Sequence, residues 1–250
     1  MNAFSLPETV AIQTISETES VGTFQIEGLY TGYGLTVGNA LRRVLISSLP
    51  GAAITRVKIK GVSHEFSTLE GLSEDIVELT LNLKRVRFQM HSDEPQTLVL
   101  KAKGEQEVTA GLIETNSSVE VVNPGAYLGR LTQKNADLDM ELTVERGLGY
   151  MPVEASKAEK LPIGVIALDA IFTPVVTANF SVENMRVGDR TDYNRLKLSV
   201  TTDGSITPSD AVARASAILK EHYEKIAAIE VRPAEKIVAV PEKKAKKAKK

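Results

Sequence analysis

The sequence of 250 residues contains no cysteine. This absence excludes disulfides, thiolate metal ligands and a cysteine nucleophile, and it fits a reducing compartment. Long apolar runs are also missing, because none approaches the ~18–20 residues that a membrane span needs. The first residues, Met1 to Phe4, lack the basic start and apolar run of a signal peptide. We therefore expect a cytoplasmic protein with no membrane segment.

Histidine is scarce as well. His64, His91 and His222 are the only histidines, and no two of them have metal-ligand spacing. No Asp-x-Asp-x-Asp cluster exists that could hold the magnesium ions of nucleotidyl transfer. We expect no metal site, no cofactor and no catalytic residue in this chain.

Positive charge is concentrated at the C-terminus. The net charge is −2, the last ten residues alone contribute +5, and the remainder therefore carries −7. An acidic body does not suit general nucleic-acid binding, which depends on Lys and Arg. Residues 233–250 are predicted to form a disordered Lys-rich tail. That tail either touches DNA weakly or keeps the protein soluble.

What is present is a mixed pattern. Apolar–polar alternation predicts two strands within residues 8–30, and a helix follows from an N-cap at Thr36 to the stop signal at Leu49-Pro50-Gly51. Strand-like runs cover residues 54–59 and 63–67. A second helix is predicted over residues 73–84 and a β meander over residues 85–145.

The last third of the chain repeats this mixture. Residues 154–160 are polar and predict a loop, and strands are expected at 163–172, 177–187 and 196–201. A long helix is then predicted from Thr207 to about residue 229. Its start has a threonine N-cap, a proline at the first helical position and an acid at a capping-box position, which are Thr207, Pro208 and Asp210.

The first predicted helix and the long last one both carry more apolar surface than a small domain needs. On the first, one face joins Val37, Leu41, Val44, Leu45 and Ser48, and the opposite face joins Asn39, Arg42, Arg43 and Ile46. Arginine beside an apolar residue suits a protein interface, and intramolecular salt bridges are the alternative. On the long helix, residues from Ala211 to Ile229 spread over a wide apolar arc. Dimerisation and ordinary core burial both explain that arc.

Three segments contain residue types typical of binding or catalysis. The glycines of Gly32-Tyr33-Gly34 resemble a dinucleotide loop, but Val37 stands where the third glycine is required, so we predict a turn with close backbone approach. Ser63-His64-Glu65 contains hydrolase residue types, yet neighbours on a strand face opposite sides, so a structural histidine is expected. Arg146 to Pro152 is either a structural hairpin or a partner-contact loop.

Several segments in order resemble one family, the alpha subunit of bacterial-type DNA-directed RNA polymerase. They are Gly34 to Leu45, His64 to Thr68, Gly71, Glu74 to Ile76, Leu81 to Lys84, Arg146 to Pro152, Pro162 to Gly164, Asp169 to Val175, and Arg190 to Asp192. Each is weak alone, and the ordered set over residues 8–230 is specific. The family usually continues into a small helical domain that binds promoter DNA, and the matched segments imply nothing about it.

The resemblance implies an α+β fold in two domains. A discontinuous dimerisation domain would comprise residues 1–51 and 176–232, and an inserted β-rich domain would comprise 52–175. In the family, two alpha chains dimerise and then bind the beta and beta-prime subunits, which would hold the catalytic magnesium. DNA would be reached only through the complex or weakly through the tail.

The resemblance also implies three groups of contact residues. The beta contact would be Asn39, Arg42, Arg43 and Ser47. The beta-prime contact would be Glu183, Arg186, Arg190 and Asp192. The dimer interface would be Leu41, Leu45, Ile218, Leu219, His222 and Ile226.

Alternatives remain at this point. The small assembly subunits of archaeal and nuclear polymerases share the fold, although some carry cysteine clusters that this chain lacks. A plastid origin is possible in place of a bacterial one. A nucleotide-dependent oxidoreductase would have to use the glycine segment for its cofactor, and a stand-alone DNA-binding protein would have to rely on the tail.

Overall fold

The computed structural model describes residues 10–156, 162 and 164–229. The helices are α1 (Tyr33–Ser47), α2 (Ile76–Leu83), α3 (Val153–Ser156) and α4 (Pro208–Ala227). The strands are β1 (Ala11–Glu17), β2 (Val21–Leu29), β3 (Pro50–Ile59), β4 (Phe88–Met90), β5 (Gln96–Lys103), β6 (Gln106–Thr109), β7 (Ile113–Glu114), β8 (Val119–Val121), β9 (Tyr127–Leu131), β10 (Asp137–Leu148), β11 (Tyr150–Met151), β12 (Val165–Ala167), β13 (Ala170–Ile171), β14 (Val175–Val187) and β15 (Arg190–Thr202). The predicted α+β class is confirmed.

One part of the molecule is a four-stranded antiparallel sheet in the order β1-β2-β15-β14. Helix α1 lies across β14 and β15, and α4 packs beside α1. The even-numbered residues of β2 face these helices, which gives the alternating burial of that strand. A hydrophobic cluster fills the space between sheet and helices, with Phe24, Leu45, Leu198 and Ala215 among its buried members. We call this part the helix-and-sheet unit.

The other part is built almost entirely of strands. Its main sheet runs β7-β5-β10-β3-β4-β8, with β12 also paired to β3, and two smaller sheets join β6 to β9 and β11 to β13. Helix α2 packs against β9. A larger hydrophobic cluster fills this part and includes Ile76, Leu79, Leu100 and Leu142 at 1% exposure or less. We call this part the β-rich unit.

The two clusters come from different stretches of the chain. The helix-and-sheet cluster draws its buried residues from 24–49 and 175–215, and the β-rich cluster draws its own from 52–168. The boundaries given above for the two domains remain a prediction. The predicted tail, residues 233–250, lies outside the described residues, as do residues 1–9 and 230–232.

Local signals predict α4 well. Thr207 is its N-cap and accepts a hydrogen bond from the Asp210 amide at 3.3 Å, with Pro208 in the first turn. The predicted start of α1 at Thr36 is wrong, because the helix begins at Tyr33 after Gly32, whose φ is 85°. Helix α2 also begins later than predicted, at Ile76, with the Asp75 carboxylate accepting from the Glu78 amide at 2.7 Å.

One further local prediction is wrong, and another is wrong for its first three residues. Residues 63–67 form a turn rather than a strand, closed by a hydrogen bond from the Ser67 amide to the His64 carbonyl at 3.1 Å. The predicted loop at 154–160 begins inside the short helix α3, and its residues from 157 on lie outside the described part. Within the described residues, no helix is long and apolar enough to cross a membrane.

Candidate protein-interaction surfaces

Helix α1 is held close to its sheet by two glycines one turn apart. A Cβ on Gly34 would lie 2.7 Å from Val182, and a Cβ on Gly38 would lie 2.6 Å from the ring of Phe180. The absence of side chains at these positions therefore lets the helix backbone approach β14 and β15. The predicted close approach is confirmed, although Gly34 belongs to the helix and not to a flexible turn.

The opposite face of α1 is open to solvent. Asn39, Arg42, Arg43 and Ser47 are exposed there, and the Ser47 hydroxyl donates to the Arg43 carbonyl at 2.8 Å. Ile46, on the same face, is 43% exposed. Within the described residues neither arginine forms an ion pair, so the alternative of intramolecular salt bridges is wrong for this part of the chain. This surface, which we call the arginine face, offers two guanidinium groups without an ion-pair partner in the described part of the chain, beside an aliphatic side chain.

The four residues predicted for beta-prime lie on the β14–β15 hairpin but do not form one cluster. Glu183 accepts from the Lys197 ammonium at 2.9 Å, and this bond holds the pKa of the Glu183 carboxyl below its usual range. Arg195 extends the same row, with its Nε 2.7 Å from Glu27. Glu183 is therefore already engaged in a charged ladder on the open face of the sheet.

Arg186, Arg190 and Asp192 lie nearer the hairpin end. Arg190 donates to both oxygens of Asp192, at 3.0 and 2.7 Å. Thr31 adds a bond of 2.7 Å to the same carboxylate. The bonds from Arg190 and then from Thr31 hold the pKa of the Asp192 carboxyl well below its usual range. Arg186 donates to the Gly188 carbonyl at 2.7 Å, which closes the hairpin end.

An aromatic cluster beside this hairpin end is absent from the sequence prediction. Tyr30 and Tyr193 have ring centroids 5.4 Å apart, and the Arg190 guanidinium lies 5.2 Å from the Tyr193 centroid. Tyr33, at the start of α1, is 55% exposed. Tyrosine and arginine together are typical of interface hot spots. Tyr30 and Tyr193 are visible in the sequence, but only the register of β15 brings their rings together.

The predicted dimer residues fall into two classes. Leu41 and Leu45, at 5% and 0% exposure, are buried in the chain's own core. The prediction that they offer dimer surface is wrong, because they face the sheet and support α1 from beneath. Ile218 and Leu219 are half-buried, and His222 is exposed. Ile226 is 64% exposed.

The second half of α4 leaves the body of the unit. Every described residue from 220 to 229 is exposed, including Tyr223 at 56% and Ile229 at 75%. On strand β1, Ile12 and Ile15 are also exposed, at 71% and 54%. Exposed apolar side chains that recur along one helix and just beyond it, as Tyr223, Ile226 and Ile229 do, are candidates for an interaction site.

The glycine segment cannot cradle a phosphate in this arrangement. The backbone amides of Gly32 and Gly34 donate to the Asn194 side-chain oxygen at 2.8 and 3.3 Å. A phosphate loop requires such amides to be free for the ligand. This use of the amides removes the physical basis of the oxidoreductase alternative.

In the other two singled-out segments, His64 and Arg146 are both bound within the chain. The His64 ring lies 3.1 Å from the Ser67 hydroxyl, inside the turn, so its partner is Ser67 and not the neighbouring Ser63. Arg146 lies within β10 and pairs with Asp93 at 2.6 Å. Leu148 and Tyr150 beyond it are 60% and 61% exposed. In the described part of the chain, no group of three His, Asp or Glu side chains could hold a metal ion.

Glu74 joins the segment before α2 to strand β9 of the β-rich unit. One of its oxygens accepts from the Tyr127 hydroxyl and the other from the Arg130 amide, the latter at 2.8 Å. The bond to Glu74 raises the pKa of Tyr127 to about 12. Both adjacent carboxylates therefore have structural roles, because Glu74 binds Tyr127 and the Arg130 amide and Asp75 caps α2.

Comparisons with known proteins agree with the ordered motifs. Residues 57–173 match the family model described as "RNA polymerase Rpb3/RpoA insert domain". A protein named DNA-directed RNA polymerase subunit alpha from Symbiobacterium thermophilum is 50% identical over 217 residues, which cover 87% of this chain and 68% of the relative. The protein of the same name from Moorella thermoacetica is 46% identical over 222 residues, covering 89% of this chain and 71% of the relative.

Proposed function

The chain belongs to the family of alpha subunits of DNA-directed RNA polymerase, and from that membership we propose that it dimerises and holds the beta and beta-prime subunits together. It is a part of the transcription enzyme, with a role in assembly. The archaeal or nuclear type of assembly subunit and the oxidoreductase are not favoured by these likenesses. That the chain supplies no catalytic residue, and that the magnesium sits in the large subunits, are parts of the proposal.

The observation that carries the proposal is the arginine face of α1. Its Arg42 and Arg43 are exposed and find no ion-pair partner in the described residues, and the buried side of the same helix is locked on the sheet. A guanidinium on a rigid helix loses little freedom on binding and can form bidentate bonds to a carboxylate. These properties suit a preformed site for a large protein partner, which we assign to beta.

Dimerisation is supported by the exposed half of α4. A helix of 20 residues is about 30 Å long, yet only its first half is covered by the unit. A second copy supplies the same apolar stripe, so that Tyr223 and Ile226 of each chain can cover those of the other. The dimer set is thus revised to Ile218, Leu219, His222, Tyr223 and Ile226.

The beta-prime side is assigned to the hairpin end with Arg186, Arg190 and Asp192, to which the tyrosine cluster is added. Glu183 is retained as a weaker candidate, because its carboxylate is already bound to Lys197. DNA is reached through the assembled enzyme. The proposed place of action is the cytoplasm.

Co-purification tests the proposal. A tagged chain is co-expressed with the beta subunit, and recovery of beta is compared between wild type and Arg43→Ala. Truncation of a hot-spot arginine costs about 2 kcal/mol or more, so we expect beta affinity to fall by about thirtyfold if Arg43 is such a residue. The chain itself is expected to remain dimeric by size-exclusion chromatography.

The matched control is Arg85→Ala, another exposed arginine, on the turn after α2 in the β-rich unit. It should bind beta like wild type. Normal recovery of beta by Arg43→Ala, or an equal loss with Arg85→Ala, would contradict the assignment of the arginine face.

A further inference from the structure

Helix α1 has no cap of its own. Its N-cap residue is Gly32, and no side chain near it in sequence accepts a bond from the first amides. The first turn of a helix leaves backbone donors without partners, and a missing cap usually frays it. In this chain Asn194 of β15, distant in sequence, accepts from Gly32 and Gly34 through its side-chain oxygen.

The Asn194 amide is held in the orientation that this role requires. Its side-chain nitrogen donates to the Asn184 oxygen at 3.2 Å, which leaves its own oxygen pointing at the helix. Asn194 is 5% exposed, one of few buried polar residues in the described chain. A buried amide with both ends bonded holds its partners firmly, since loss of either bond would leave a buried polar group unsatisfied.

A second bond joins the same two elements at the surface. The Thr31 hydroxyl, one residue before Gly32, lies 2.7 Å from the Asp192 carboxylate. Asp192 is itself gripped by Arg190. The start of α1 and the end of the hairpin are therefore tied twice, once inside the fold and once outside it.

We propose that Asn194 is a positioning residue for the arginine face, acting through the amides of Gly32 and Gly34. This inference rests on the proposed function, in which that face binds beta. Without the cap the first turn unwinds and Gly34 lifts from Val182, which changes the seating of α1 on the sheet. Arg42 lies eight residues beyond Gly34, about 12 Å along the axis, and moves with the helix. The Thr31–Asp192 bond adds a link from the hairpin end to the same helix start.

Hydrogen exchange on the dimeric full chain tests the cap without any partner. In Asn194→Ala, we expect the amides of Gly32, Gly34 and the following turn to exchange about tenfold faster, in line with the usual loss on removing a cap. Asn194→Asp keeps an acceptor that suits the positive end of the helix but loses the bond to Asn184, so it should restore part of the slow exchange. Asn179→Ala, an exposed asparagine on β14, is the control and should leave α1 unchanged.

The same variants are then titrated with beta. Asn194→Ala should weaken beta binding about fivefold to tenfold at an unchanged dimer content, by loss of a cap. Asn194→Asp should bind beta with an affinity between those of Asn194→Ala and wild type. Replacing a residue with only a structural role would lower the stability of the chain, but it would not weaken beta binding while leaving the dimer content unchanged.

Each outcome bears on the inference. Unchanged exchange in Asn194→Ala overturns the cap, and faster exchange with normal beta affinity overturns the positioning role. If Asn194→Ala does not fold, Thr31→Val takes its place, because it removes only the exposed bond. It should speed exchange at the helix start and weaken beta binding more modestly, and no effect on either would count against the inference. If wild type itself binds no beta, the proposed function fails while the exchange result still stands.

Discussion

The two units of this chain bury their apolar residues to different degrees. In the β-rich unit, the strands and α2 enclose a core in which Leu79, Leu100 and Leu142 are completely buried. In the helix-and-sheet unit, the core is smaller, and isoleucines on β1 and α4 remain open to solvent. Phe66, Leu148 and Tyr150 of the β-rich unit are exposed as well, but the helix-and-sheet unit has a helix whose described residues from 220 onward are all exposed, which suits the dimer proposed for it.

The polar contacts of the two units serve different elements. In the β-rich unit Glu74 joins the segment before α2 to strand β9, through Tyr127 and Arg130. In the helix-and-sheet unit charged side chains on the sheet are paired, whereas the Arg42 and Arg43 guanidinium groups of α1 have no ion-pair partner among the described residues. The arginine face therefore differs from the sheet beside it in having charges open to a partner.

The largest effect is expected from a change on the exposed end of α4. Ile226→Asp places a carboxylate on the stripe assigned to the dimer, once in each copy. A buried charge without a partner costs about 3–5 kcal/mol, so we expect dimer dissociation to rise by more than a hundredfold. Sedimentation velocity over a concentration series measures it.

Leu81→Asp is the matched control for this variant. Leu81 is 52% exposed on α2 of the β-rich unit, so replacing it with aspartate should leave the chain dimeric. A dimer that tolerates Ile226→Asp would mean that the open half of α4 is not the interface.

A smaller effect is expected from filling the space under α1. Gly38→Val adds side-chain atoms where Phe180 and Leu196 lie 2.6 and 2.8 Å from the Cβ position. Overpacking of this kind costs about 2–3 kcal/mol, and urea denaturation should show it as a lower midpoint. Gly125→Val, in open space within the β-rich unit, should change stability by about 0.5 kcal/mol or less. Equal stability of the two variants would show that the helix seat is not tight.

The smallest effect concerns pH and the β-rich unit. Lys84 donates to Asp169 at 3.0 Å, and this bond, followed by one from the Val153 amide, lowers the pKa of the Asp169 carboxyl. A depressed folded-state pKa stabilises the fold above the unfolded value near 4, and that stability is lost as pH falls through the folded value. Both side chains are partly exposed, so about 0.5–1 kcal/mol is at stake.

Asp169→Asn should remove this contribution. Between about pH 5 and pH 3 the wild type should therefore lose more stability than the variant in urea denaturation. Asp137→Asn, an exposed carboxylate on β10, should follow the wild type. If the wild type and Asp169→Asn lost stability equally as the pH fell, the Lys84–Asp169 pair would be fully screened by solvent. The dimer content of both proteins should stay the same.

The sequence predicts the elements whose signals are local. Helix α4 is correct because its cap, proline and apolar spacing lie within a few residues of one another. The two faces of α1 are also correct, since 3.6-residue periodicity alone separates Leu41 from Arg42. The open half of α4 is not visible in the sequence, since how far the unit covers the helix depends on the packing of the whole unit.

Features that depend on distant residues were beyond prediction. The start of α1 is set by Asn194, and the tyrosine cluster by the pairing of β2 with β15. Leu41 and Leu45 were assigned to the dimer because an apolar stripe does not reveal whether a partner or the chain's own sheet covers it. The turn at residues 63–67 is not predicted, because alternating apolar and polar residues suggest a strand there. The hydrogen bond that closes the turn, from the Ser67 amide to the His64 carbonyl, has no signature in the sequence.

The strand order β1-β2-β15-β14 also has a consequence for the order of events during synthesis. Strand β2 pairs with β1 and with β15, and the second of these partners is made only when residues 190–202 have been translated. The buried cluster of the β-rich unit, in contrast, is complete in sequence by residue 168. Domains fold as units as they emerge, and distant pairings are slow to close. The β-rich unit can therefore fold on the ribosome before the C-terminal strands that hold β2 and the arginine face have been synthesised.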